Sequence, residues 1–88
     1  MNYNNIAQKI EDMIKEVIMR KGLIDTGRMY DSINVIPTGD DDYHINAVDY
    51  FKYVDGNNDI TYEVFESKEL YDFIQQEYID EYNRILGS

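Results

Sequence analysis

Tyr3-Asn4-Asn5-Ile6-Ala7-Gln8-Lys9-Ile10-Glu11-Asp12-Met13-Ile14-Lys15-Glu16-Val17-Ile18-Met19-Arg20 is the stretch from which the fold is read. Its apolar residues Tyr3, Ile6, Ala7, Ile10, Met13, Ile14, Val17 and Ile18 recur at i, i+3, i+4 and i+7, which lines one face of an α-helix. Gln8, Lys9, Glu11, Asp12, Lys15 and Glu16 fall on the other face, and Glu11 precedes Lys15 by four residues in the orientation that favours an ion pair. Lys21-Gly22 follows, a cation and a glycine suited to ending the helix. Such a one-sided helix must be covered, so the remaining chain is expected to build a layer against it.

Downstream, Asp25-Thr26-Gly27 offers two N-cap candidates for a short helical run, Arg28-Met29-Tyr30-Asp31-Ser32-Ile33. Ile33 to Ile36 and Tyr43 to Val48 read as two antiparallel strands joined by Pro37-Thr38-Gly39-Asp40-Asp41-Asp42, a segment of turn formers. Tyr43, Ile45 and Ala47 share one face of the second strand, with His44 and Asn46 on the other. Asp49 to Val54 fits either a helical turn or a continued extended segment, and Gly56-Asn57-Asn58-Asp59 is expected to break it. A further short strand is expected from Ile60 to Phe65. Ser67 then caps a last helix, in which Leu70, Tyr71, Ile74, Tyr78, Tyr82 and Ile85 form a stripe about 120° wide. The expected architecture is α+β, one domain over residues 1–88: a long N-terminal helix, a short helix, a small antiparallel sheet and a C-terminal amphipathic helix. In it the two long helices cover one sheet face, leaving a sheet edge that another subunit could pair with.

Composition narrows the function classes. Residues 1–38 carry five Lys/Arg against five Asp/Glu, whereas residues 39–88 carry three against thirteen, so the formal charge of −10 resides entirely in the second half. That surface repels nucleic-acid phosphates and attracts basic proteins, which disfavours specific nucleic-acid binding. The absence of Cys removes disulfides, thiolate metal sites and thiol nucleophiles. No apolar run approaches the ~18 residues of a membrane span, and the N-terminus lacks the pattern of a secretory signal. Nine Tyr and no Trp fit either half-buried surface packing or an interface, which favours side chains with one apolar and one wet end.

Chemistry-bearing constellations are sparse. His44 is the single His and has no sequence neighbour suited to a triad or a zinc site. Asp40-Asp41-Asp42 reads as a turn, with cation binding as the sharper alternative. From Asp55 to Glu66, oxygen-bearing side chains fall at the first, third, fifth, ninth and twelfth places of a calcium loop, yet Ile60 stands where the sharp turn requires Gly. Carboxylate pairs are uninformative among eighteen acids. Neither an enzyme nor a cofactor is expected.

Two segments carry a resemblance. Leu23-Ile24-Asp25-Thr26-Gly27-Arg28-Met29-Tyr30-Asp31-Ser32-Ile33 and Val48-Asp49-Tyr50-Phe51-Lys52-Tyr53-Val54-Asp55-Gly56 resemble, in order and separation, the D-T-G-x-L-x-x-S-I and Y-x-x-Y-V-E-x-G segments of tail-completion, or neck, proteins of tailed bacteriophages. Asp25, Thr26, Gly27, Ser32 and Ile33 match the first, with Met29 where Leu is usual. Tyr50, Tyr53, Val54, Asp55 and Gly56 match the second, with Asp for Glu and the glycine one place early. Asn57-Asn58-Asp59 replaces the family's Pro- and Phe-containing loop. The resemblance implies an α+β virion structural protein, assembled in the host cytoplasm as a homo-oligomeric ring whose partners are the head connector and the tail. It implies structural roles for the first motif and an interface for the second, with Gly27 at a tight turn or close approach. A different class, an acidic phage-encoded inhibitor that mimics nucleic acid and binds a host nuclease, fits size and charge but not the two motifs.

Overall fold

The computed structural model describes residues 3–23, 27–39 and 42–87. Their elements are α1 (Tyr3–Arg20), α2 (Arg28–Ser32), β1 (Asn34–Gly39), β2 (Asp42–Asn46), α3 (Tyr50–Asn58), α4 (Ile60–Phe65) and α5 (Lys68–Gly87). The α+β class holds, with an antiparallel two-stranded sheet.

α1 organises the molecule. Its periodic stripe is buried from Ile6 to Ile18, and β1, α4 and α5 all pack against it. Leu23 N–H donates to Ile18 O and Gly22 N–H to Met19 O, each at 3.0 Å, while Gly22 takes φ +69°. These paired bonds stop the helix as its Lys-Gly ending implies, because glycine enters the left-handed region without a Cβ penalty.

The hairpin forms where alternation places it, but β1 runs on through Pro37, Thr38 and Gly39, expected to turn, and β2 spans Asp42–Asn46, stopping short of Val48. Val35 pairs with Ile45 and Ile36 with His44, so Val35 is buried while His44 and Asn46 face solvent. Val35 N–H is not used in the ladder: it donates to Glu11 Oε1 of α1 at 3.1 Å. A side chain of the covering helix therefore satisfies the outer edge of β1, and two residues on Pro37 has no N–H to offer there.

Further along, one expectation is narrowed and two are corrected. The segment Gly56-Asn57-Asn58-Asp59 breaks the helix only at its last residue: Gly56-Asn57-Asn58 form the last turn of α3, and Asp59 adopts φ 52°, ψ 41°. Asn58 Nδ2 donates to Val54 O at 2.8 Å, which gives this turn a local partner that glycine and asparagine otherwise lack. Ile60 to Phe65 is not a third strand but the helix α4. Ile60 and Val64 are both buried toward α1 while Tyr62 between them is exposed, a pattern that period-2 geometry, which puts all three on one face, could not produce. Finally, α5 does not lie over the sheet. It packs beside α1 through buried Leu70 and half-buried Phe73 and Ile74, and its other stripe members, Tyr71, Tyr78, Tyr82 and Ile85, are exposed.

The α5 start follows expectation: Ser67 Oγ accepts the Leu70 N–H at 3.1 Å, an N-cap bond. The described residues extend over 48 × 22 × 18 Å. No described helix is long and apolar enough to cross a membrane.

Candidate functional site: an aromatic face on α3

The two matching segments are brought together. Ser32 Oγ donates to Met29 O at 2.7 Å and accepts the Val48 N–H at 3.2 Å. One hydroxyl thus closes the end of α2 and anchors the start of the second segment, while the adjacent Ile33 is buried in the core. Ser32 links two segments of the fold and Ile33 lies in the core. Gly27 is different: it precedes α2 at an exposed position, and a Cβ built there meets nothing within 4 Å. The close approach expected of Gly27 is absent. Asp25 and Thr26 lie outside the described residues.

The second segment splits between the two sides of α3. Phe51 is buried and Val54 half-buried against the core. Asp55 does not face outward as an interface residue; its Oδ1 accepts the Thr61 N–H and its Oδ2 the Thr61 hydroxyl, both at 2.7 Å. The carboxylate ties α3 to α4 across the left-handed Asp59. Tyr50 and Tyr53, three residues apart and hence on one face, are 64% and 70% exposed. Gly56 extends that face with no side chain, and Asn57 completes it. Of the five expected interface residues, Tyr50, Tyr53 and Gly56 are presented to solvent, and Val54 and Asp55 belong to the fold.

Sequence reasoning missed a second outward pair, Tyr62 and Phe65 of α4, also three residues apart and exposed. Reading that segment as a strand put Tyr62 on the same face as buried Ile60 and Val64. The i, i+4 spacing of Ile60 and Val64 fits one face of a helix and of a strand alike, so it carried no signal that could have found this pair.

Electrostatics fasten the junction behind these faces. Arg20, in the last turn of α1, is hydrogen-bonded to the Glu63 carboxylate of α4, and Lys21 Nζ reaches Glu63 at 3.4 Å and Asn58 O at 2.8 Å. Partial covering opposes the Glu63 charge, but Arg20 and Lys21 together outweigh it and hold the carboxyl below its ordinary value. Lys9 pairs with Glu69 at 2.7 Å and sits 5.6 Å from the Phe73 ring centre, and Lys15 sits 5.2 Å from that of Tyr30. The bases of α1 are thus turned onto the molecule's own acids and rings.

The segment weighed as a calcium loop is helical, and both Asp55 oxygens are taken by Thr61. Asp40 and Asp41 lie outside the described residues, and Asp42 is an exposed strand residue. Among the described residues no group of three or more His, Asp or Glu side chains is arranged to hold a metal ion. Comparison with protein-family models, curated proteins and solved structures finds no match.

Proposed function

We propose that this chain is a virion structural protein of a tailed bacteriophage, a subunit of the neck ring that joins the head connector to the tail and acts through contact surfaces. The observation that supports this reading most is the exposure of Tyr50 and Tyr53 on one face of α3, in the segment that resembles the family's second motif. Large aromatic side chains held outward on a rigid helix, with Phe51 buried behind them, make a ready-formed contact surface of the kind that dominates binding energy once desolvated. A closed ring needs different patches meeting head to tail, and the outward aromatics of α3 and α5 lie on separate elements, which suits that arrangement.

The test is genetic and structural. Deleting the coding gene from its phage is expected to leave filled heads without attached tails. Complementation with Tyr53→Ala is expected to restore fewer tailed particles than complementation with Asp42→Asn, because a rim charge contributes little. Fully tailed, infectious particles from the deletion would refute the neck role. The acidic inhibitor would then take first place, supported by the charge of −10 and tested by salt-sensitive binding to a DNA-binding enzyme.

A further inference from the structure

The two edges of the sheet are unequal. In an antiparallel ladder, a residue whose N–H leaves the sheet belongs to a pair in which both partners turn their backbone groups away from each other. Val35 is such a residue, since its N–H goes to Glu11, and its partner is Ile45. The Ile45 N–H and C=O therefore point to the far side of β2. Val48 agrees with this alternation from the other parity, its N–H turning inward to Ser32 Oγ. Along the β1 edge, Glu11 occupies the Val35 donor and Pro37 removes the next one. Beside β2, no third strand lies among the described residues. One edge is closed by two separate devices, and at Ile45 on the other no strand lies alongside among the described residues, where natural sheets ordinarily blunt both edges.

Charge selects the occupant. Residues 29–51, which contain the whole hairpin, hold five Asp and neither Lys nor Arg. A second copy of this chain would bring its own Asp42 and an equal formal charge of −10 toward that edge, so like-charge repulsion opposes self-pairing. A directly opposed strand residue shares the face of its partner. A residue opposite Ile45 would thus join the half-buried row that Ile45 forms, whereas its neighbours would lie on the exposed face with Asp42, His44 and Asn46. The edge consequently asks for a strand that alternates apolar and basic residues.

We propose that the far edge of β2 is a docking site for an extended, basic segment of another protein, which adds to the hairpin as a third strand. This rests on the edge and its charge alone, independently of the neck reading. Main-chain hydrogen bonds to Ile45 give the affinity, and the chain's own net negative charge disfavours a second copy.

The probe is a hexapeptide of alternating Lys and Val with blocked ends, titrated into the full chain and followed by NMR. Saturable binding is expected, with exchange of the Ile45 amide slowed about tenfold or more at saturation. The same peptide N-methylated at its valines keeps every charge but cannot complete the ladder, and is expected to bind at least about tenfold more weakly. The proposal is overturned by equal binding of the two peptides, by no binding of the first, or by an Ile45 amide that exchanges at the same rate throughout. It is equally overturned if that amide is protected without peptide in proportion to protein concentration, since the chain would then be pairing with itself.

Discussion

The Asp55 carboxylate receives both the backbone N–H and the hydroxyl of Thr61, each at 2.7 Å. Two helices that meet at a left-handed residue have no continuous backbone ladder across the joint, and this side chain supplies the missing link. Asp55→Ala is expected to destabilise the protein by about 1–2 kcal/mol, the cost of losing a carboxylate cap and leaving its donors unpaired. Thr61→Val keeps the N–H and should cost roughly half as much. Urea unfolding checks both, read as a lowered midpoint with unchanged slope.

Tyr53→Ala and Tyr50→Ala are expected to change stability by less than about 0.5 kcal/mol, as exposed substitutions do. Phe51→Ala, one position away, should cost about 3–5 kcal/mol because its ring is buried. Thermal unfolding of the three variants separates the two sides of α3. Equal losses at Tyr53 and Phe51 would show that the aromatic face is part of the core.

Glycine positions separate in the same way. Gly22→Ala forces a side chain into φ +69° and should cost about 1 kcal/mol. Gly27→Ala adds a Cβ with nothing within 4 Å, so a change of no more than a few tenths of a kcal/mol is expected. The larger effect of Gly22 is checked by comparing the two unfolding midpoints.

Acid sensitivity should centre on Glu63. Its folded-state carboxyl is held below the ordinary value by Arg20 and Lys21 against the opposing effect of covering. Its contribution is therefore fully present above the unfolded glutamate pKa of about 4.3, and is lost as pH falls through the lowered folded value. Glu63→Gln is expected to flatten the fall in stability across that window while lowering stability at neutral pH. Parallel denaturation series between neutral and acid pH provide the measurement, and parallel curves would exclude the link.

The contrast between α1 and α4 shows what was legible in the chain. α1 carries eighteen residues of unbroken periodicity, and that pattern alone specifies its type, its buried side and its glycine stop. Ile60 to Phe65 is six residues long and rich in β-branched and aromatic side chains, so local propensity points to a strand. What decides it is tertiary: the seat for Ile60 and Val64 against α1 and the Asp55 bond to Thr61, neither visible from local composition. The α5 stripe was correctly placed on one helical face, but its covering depends on how far α1 runs beside it. Only Leu70 of that helix is fully buried. At the candidate site, the division of the second segment into buried anchors and outward aromatics required α3 to be a helix. The period of a nine-residue segment containing Gly56 does not reveal that.

The position of α1 in the order of synthesis has a consequence for life in the cell. Its apolar stripe leaves the ribosome before the side chains that cover it, which arrive in turn from Val35, Ile60, Val64 and last from Leu70, roughly 60 residues after Ile6. At translation rates of about 5–20 residues per second, the stripe stays uncovered for roughly 3–12 s, long compared with any helix-forming step. During that interval the nascent chain presents a seven-residue greasy ridge with no mate, a natural substrate for holding chaperones and a point of mutual adhesion between chains on neighbouring ribosomes.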